Sequence, residues 1–212
     1  MNKVLIAKTL LLIIFSSSIY AQSSKFNLGI EGGAGISKVG ALYDSGLGYT
    51  GQIFGQYNIT KIFSAQLGFG YEQKNGNDQI TVTDNFGNPL YNMKISQNFD
   101  FLTLPVLVRA KFGSKINYFV NAGPYFGYLL KQYSQTNDSN NNSSNEIDNA
   151  SNFKRFETGL SLGIGISLPL KEKLALSFEV RDNLGLTNLS KTEGATLKTN
   201  STHLLLGLSY SL

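Results

Sequence analysis

The stretch THLLLGLSYSL, residues 202–212, sets Thr202, Leu204, Leu206, Leu208, Tyr210 and Leu212 on one side of an extended chain. His203, Gly207, Ser209 and Ser211 fall on the other side, with Leu205 as the exception. Successive strand side chains point to opposite faces, so this is a strand with one apolar face. Such a strand at the end of a sequence is poorly suited to water, where terminal segments fray. It suits the wall of a barrel whose outside meets hydrocarbon. There every backbone group must find a partner within the protein, which a closed sheet of roughly 10-residue alternating strands provides.

Seven earlier segments alternate in the same way. Their apolar faces begin with Phe26, Leu28, Ile30, Ala34 and Ile36, then Tyr49, Ile53 and Tyr57, then Phe63, Ala65, Leu67, Phe69 and Tyr71. Leu102 to Phe112 follows as a weaker case, because Phe101 and Leu107 occupy its polar face. Tyr118, Val120, Ala122, Phe126, Tyr128 and Leu130 form the fifth, with Phe119 and Tyr125 as bulky exceptions and Pro124 expected to break the ladder. Thr158 to Leu168 and Leu174 to Val180 complete the set.

The opposite faces decide which way the barrel turns. A water-soluble, lipocalin-like barrel would expose its polar face and hold a ligand among the apolar residues. Here the polar faces are crowded with Gly and Ser, which suit a cramped interior better than a solvated exterior. No Lys or Arg lies on the apolar faces of the eight segments, as expected where such a residue costs about 2–4 kcal/mol at the bilayer midplane. Tyr and Phe gather toward the segment ends, as in an interfacial girdle. The expected fold is therefore all-β: an eight-stranded antiparallel up-and-down transmembrane β-barrel.

Connections alternate in length. Residues 58–61, 113–115 and 169–173 read as tight turns, and residues 39–48, 75–91, 132–152 and 184–200 as long polar loops. In barrels of this kind short turns face the periplasm and long loops the exterior, so both termini are expected in the periplasm of a multi-pass outer-membrane protein. The Asn/Ser-rich run 136–152 reads as low-complexity and mobile. At the other end, Lys3 and Lys8 precede and flank an apolar run from Leu10 to Phe15, followed by small residues. That pattern predicts a signal peptide over residues 1–21, cleaved after Ala21, and a barrel domain over 22–212.

The chain has no cysteine, which excludes disulfides, thiolate chemistry and a lipoprotein anchor. Its net charge of +4 comes without a basic run, so nucleic-acid binding has no support.

Four strings within these segments, DFLTLPVLVRAKFG, YFVNAGPYFGYLL, GLSLGIGISLPL and LALSFEVRDNLGLTNLS, resemble the outer-membrane protein beta-barrel domain family, which includes PorT-like and porin-family small barrels. The most specific pieces are Leu104-Pro105, Asn121-Ala122-Gly123-Pro124-Tyr125, and Glu179 and Arg181 ahead of Gly185-Leu186-Thr187-Asn188. Asp182 stands where that family often has an aromatic. Gly207, Tyr210 and Leu212 resemble the terminal-strand signal that the barrel assembly machinery recognises. The resemblance implies outer-membrane lipid and that machinery as partners, with an envelope or secretion protein as a further candidate.

His203 is the sole histidine, and Ser201 shares its face. A Ser/His pair would suggest a lipid-modifying enzyme, but the order Ser-x-His and the inward direction argue for a structural histidine. Gly159, Gly163 and Gly165 lack the helix that a phosphate-binding loop requires. No cofactor or metal site is expected. The inward charges are more informative. Alternation places Glu31, Glu179 and Arg181 at mid-height, Arg109 and Lys111 toward the turns, and Glu72, Arg155 and Glu157 toward the loops. Mixed signs in a narrow lumen predict paired charges filling it, where a ring of one sign would predict an ion pathway. Glu31, Arg109, Glu157, Glu179 and Arg181 are thus the expected interior network, with Glu179 and Glu31 the candidate partners of Arg181. The expected role is non-enzymatic, binding or structural, through loops or rim; the PorT-like resemblance implies as an alternative an accessory component of protein secretion or envelope assembly, and the lipid-modifying enzyme is a further alternative.

Overall fold

The computed structural model describes residues 25–40, 44–86, 88–138 and 147–212. The expected signal peptide lies outside these residues. The strands run β1 Phe26–Val39, β2 Asp44–Asn58, β3 Phe63–Thr83, β4 Pro89–Phe112, β5 Asn117–Asp138, β6 Ile147–Asp148, β7 Phe156–Lys171, β8 Leu174–Gly185 and β9 Thr199–Ser211. Eight of them close an antiparallel barrel. Neighbours in sequence pair side by side, β5 skips to β7, and β9 returns to β1 with His203 opposite Gly35 and Leu208 opposite Ile30. The remaining strand, β6, is a two-residue strip against Tyr133 and Ser134 of β5, followed by a 3-10 turn at Ala150–Asn152.

Alternation sets the direction of the side chains. On β9, Thr199, Ser201, His203 and Leu205 are buried while Leu204, Leu206, Leu208 and Tyr210 are exposed. The same inversion of the ordinary hydrophobic core holds around the wall, with Ile30, Ile53, Phe69, Val108, Leu162 and Ile164 exposed. Aromatics mark both borders of this apolar belt. Phe26 packs on Tyr57 at the end that carries the short turns, and Tyr49 on Tyr71 and Tyr128 on Phe156 toward the loops. Such rings sit well at a headgroup boundary because one side is apolar and the other polar.

Several boundaries differ from the sequence expectation. Residues 75–91 are mostly not a loop: β3 and β4 stay paired from Tyr71 opposite Leu102 out to Val82 opposite Tyr91. β1 and β2 likewise extend into residues 39–48, leaving only the tip, 41–43, outside the described residues. Within the Asn/Ser-rich run, residues 136–138 belong to β5, and Ala150 is buried. Pro124 does not break its strand. It pairs with Leu160 in an uninterrupted ladder to β7, while on the β4 side the ladder passes from Pro105 opposite Tyr125 directly to Val108 opposite Ala122. A proline removes one donor, and the intact second ladder holds the strand extended.

Candidate functional site

The inward faces converge on a filled lumen, built in three tiers from the turn end toward the loop end. In the lowest tier Arg181 of β8 is the centre. Its Nε and Nη2 donate to the two oxygens of Glu179 at 2.7 and 2.8 Å, and its Nη1 lies 2.6 Å from Glu31 Oε1 on β1. Glu179 also accepts from Asn121 at 2.9 Å and meets Arg109 Nη2 at 3.5 Å. Arg109 in turn donates to Asn121 Oδ1 and Gln56 Oε1, and its guanidinium stacks 4.0 Å over the Phe119 ring. Gln52 donates to Glu31 at 2.5 Å. Two arginines thus face two glutamates, all four buried.

The middle tier holds Lys74, Glu72, Glu157 and His203. Lys74 is fully buried and donates to Glu157 Oε2 at 2.7 Å, to Thr199 Oγ1 at 2.8 Å and to the Tyr125 hydroxyl at 3.2 Å. Thr199 donates to the other oxygen of Glu157. Glu72 accepts from Ser201 at 2.5 Å and from Asn183 at 3.2 Å. His203 Nδ1 stays 3.9 Å from Glu72, and its Nε2 has no hydrogen-bond partner among the described residues. Ser201 therefore spends its proton on a carboxylate, and no nucleophile-to-base hydrogen bond joins it to His203. Between the two tiers a cavity bordered by Glu72, Arg181, Asn183 and His203 measures about 10 Å³, room for about one water molecule.

The upper tier is apolar. Val39, Phe99, Phe101, Leu129, Ala150 and Leu189 are buried together, with Phe153 and Leu197 against them. Leu189 and Leu197 come from the β8–β9 connection, and Ala150 and Phe153 from the segment before β7. The two segments are tied by a bridge between Phe153 and Ser190 and by Lys154 N–H donating to the Leu189 carbonyl. This cap rests on the charged tier, with Lys74 Nζ 5.1 Å from the centre of the Phe101 ring. Beside it, Asp148 accepts from the Ala150 N–H, and that bond is the main cause holding its carboxyl below the usual pKa.

Of the residues singled out by sequence, Glu31, Arg109, Glu179 and Arg181 are brought together. Glu157 lies apart, in the Lys74 cluster. Arg155 donates to the Leu129 and Leu130 carbonyls and joins neither cluster in these contacts. Lys74 escaped the sequence reading although it stands two positions after Glu72 and shares its parity. Asp182 faces outward and accepts from Thr202 at 2.7 Å. Among the described residues no group of His, Asp and Glu is placed to hold a metal. On the terminal strand Tyr210 and Leu212 are exposed, while Gly207 faces inward where a Cβ would press on Ser177 and Glu31.

A closed antiparallel barrel with its long apolar side chains outside and its charges inside defines a small outer-membrane barrel protein. The chain belongs to the outer membrane protein beta-barrel domain family, which matches residues 20–191. Among solved structures it is similar to Neisserial surface protein A, at 14% identity over 89% of this chain and 98% of that one, with a TM-score of 0.50. A major outer membrane protein from Thermus thermophilus is similar too, at 14% identity over 87% and 98% of the two chains and a TM-score of 0.50. A comparison with curated proteins found no match.

Proposed function

We propose that this chain is a non-enzymatic, non-conducting barrel that acts through its surfaces, a binding or structural component of the outer membrane. The observation that carries this reading is the filled lumen: among the described residues, two tiers of buried, mutually hydrogen-bonded charged groups lie beneath an apolar cap. Turns and termini are taken to face the periplasm. The paired ribbon of β3, β4 and β5, which continues past the aromatic border to Thr83, Pro89 and Asp138, then stands outside the cell as the larger contact surface. Gly207, Tyr210 and Leu212 serve the barrel assembly machinery, and outer-membrane lipid covers the wall.

Planar-bilayer recording of the full chain tests the closed lumen: the expected trace shows no steady conductance, and reproducible ion-selective steps would overturn the reading. Protease applied to intact cells tests the direction, with cleavage expected in the long connections and none at the short turns.

A further inference from the structure

The outer wall is not uniformly convex. Across β9, β1, β2 and β3, toward the turn end, Leu28, Ile53, Gly55, Phe69, Leu208 and Tyr210 line an open apolar groove of about 550 Å³. Gly55 creates part of this hollow, because it faces outward and a Cβ there would meet only Leu28, at 3.8 Å. The mouth of the groove is basic. Lys173 lies over the ring of the groove residue Tyr210, its Nζ 5.7 Å from the ring centre. Lys25 immediately precedes β1, three residues before Leu28, its carbonyl accepting from the Asn58 N–H, and is exposed. Exposed Lys61, Lys115 and Lys171 follow around the same rim, against Glu172 as the opposing acid. At the loop end exposed Lys38, Lys94, Lys154, Lys191 and Lys198 stand among Asp44, Asp148 and Glu193, so more of the positive charge there is offset.

We infer that this groove is a binding site for an anionic phospholipid, its acyl chains in the hollow and its phosphate between Lys25 and Lys173. Two features independent of each other meet here. A concave apolar surface inside the bilayer belt accepts a lipid chain more closely than a convex one, and cations at its mouth attract an anionic headgroup. A zwitterionic lipid of the same chains gains the first contact without the second. The leaflet that supplies the lipid follows from the orientation proposed above, whereas the selectivity does not. In detergent both ends of the barrel meet the same lipid, so failure of the site and failure of the orientation are separately visible.

The test is native mass spectrometry of the full chain, folded in detergent and offered palmitoyl-oleoyl phosphatidylglycerol or palmitoyl-oleoyl phosphatidylcholine at equal concentration. Two lysines near a headgroup should favour the anionic lipid by roughly tenfold to thirtyfold at low salt. Lys25→Gln with Lys173→Gln should bring the two lipids to parity, while Lys94→Gln with Lys154→Gln at the loop end should leave the preference intact. Gly55→Leu, filling the hollow, should remove retention of both lipids without affecting heat-modifiable folding. Equal retention by the parent chain, a preference that survives loss of Lys25 and Lys173, or undiminished adducts on the folded Gly55→Leu variant would each overturn the inference.

Discussion

Replacing Arg181 with Met removes three short charge-assisted contacts, two to Glu179 and one to Glu31. The carboxylates remain buried, with Arg109 at 3.5 Å from Glu179 as the nearest cation, and a tier of two positive and two negative groups becomes a tier of one and two. Breaking a buried ion pair by deleting one partner costs about 3–5 kcal/mol, a roughly 150-fold to 4,000-fold loss in the folding equilibrium. The cause is the uncompensated charge, so a second change that removes one carboxylate should recover much of the loss. Arg181→Met with Glu179→Gln leaves Arg109 and Glu31, one charge of each sign, and should be more stable than Arg181→Met alone, the reverse of additive behaviour. The chain has no tryptophan, so the convenient assay is the heat-modifiable gel band of protein equilibrated with urea in lipid vesicles. A single variant within about 1 kcal/mol of the parent, well below the buried-pair cost, or a double variant no better than the single, would refute the idea that ion pairing holds the lumen together.

Three further outcomes are expected. Leu206→Arg places a cation on the outward face of β9, where Leu206 is 52% exposed, and should lower the inserted fraction by about 2–4 kcal/mol at mid-bilayer; unchanged assembly would mean that face does not meet lipid. Leu189→Ala should cost about 2–5 kcal/mol of urea stability by opening a cavity in the cap, and a neutral result would show that the cap is not packed against the barrel. Gly33→Ala should impair folding far more than Gly51→Ala, because a Cβ at Gly33 would collide with the Leu204 carbonyl oxygen at the β1–β9 seam and one at Gly51 meets nothing within 4 Å; equal gel-shift yields would argue against so close a seam.

The strands in the apolar belt were legible because lipid on one side and a packed lumen on the other impose period two. The ends were not, and the reason is visible in β3. Up to Tyr71 and Glu72 its two faces meet different solvents. Beyond, in Asn75-Gly76-Asn77-Asp78, both faces meet polar surroundings, so alternation disappears although pairing continues. Lys74 sits at that transition, between the alternating segment and the expected loop 75–91, where alternation no longer singles out an inward residue. Parity gave the direction of Arg181, Glu179 and Glu31, and β9 between β8 and β1 gave their nearness. It could not assign Glu157 to Lys74, residues 83 positions apart, because which charges meet across a lumen depends on strand tilt, and tilt leaves no mark on a single strand's sequence.

The same division of faces limits where a function can reside. An outward side chain is constrained by hydrocarbon, and an inward one by the neighbours it must neutralise or pack against, as Glu179 shows with contacts to Arg181, Asn121 and Arg109 at once. Changes at either kind of position act first on stability. What remains open to variation is the rim and the ribbon. The rim at the turns is short, basic and bordered by aromatics, a form matched to a lipid surface. The ribbon of β3, β4 and β5 is long and of mixed charge, with β2 pairing on β3 ending at Asp44 opposite Asn77. Beyond that point β3 stays paired to β4 as far as Thr83 opposite Pro89, past the apolar belt. A partner search by co-purification is therefore best made with chains shortened in the ribbon and compared with chains altered in the basic rim. Loss of a protein partner only on shortening the ribbon would locate recognition at the loop end, and loss only on altering the rim would locate it at the turn end, which the proposed orientation puts in the periplasm.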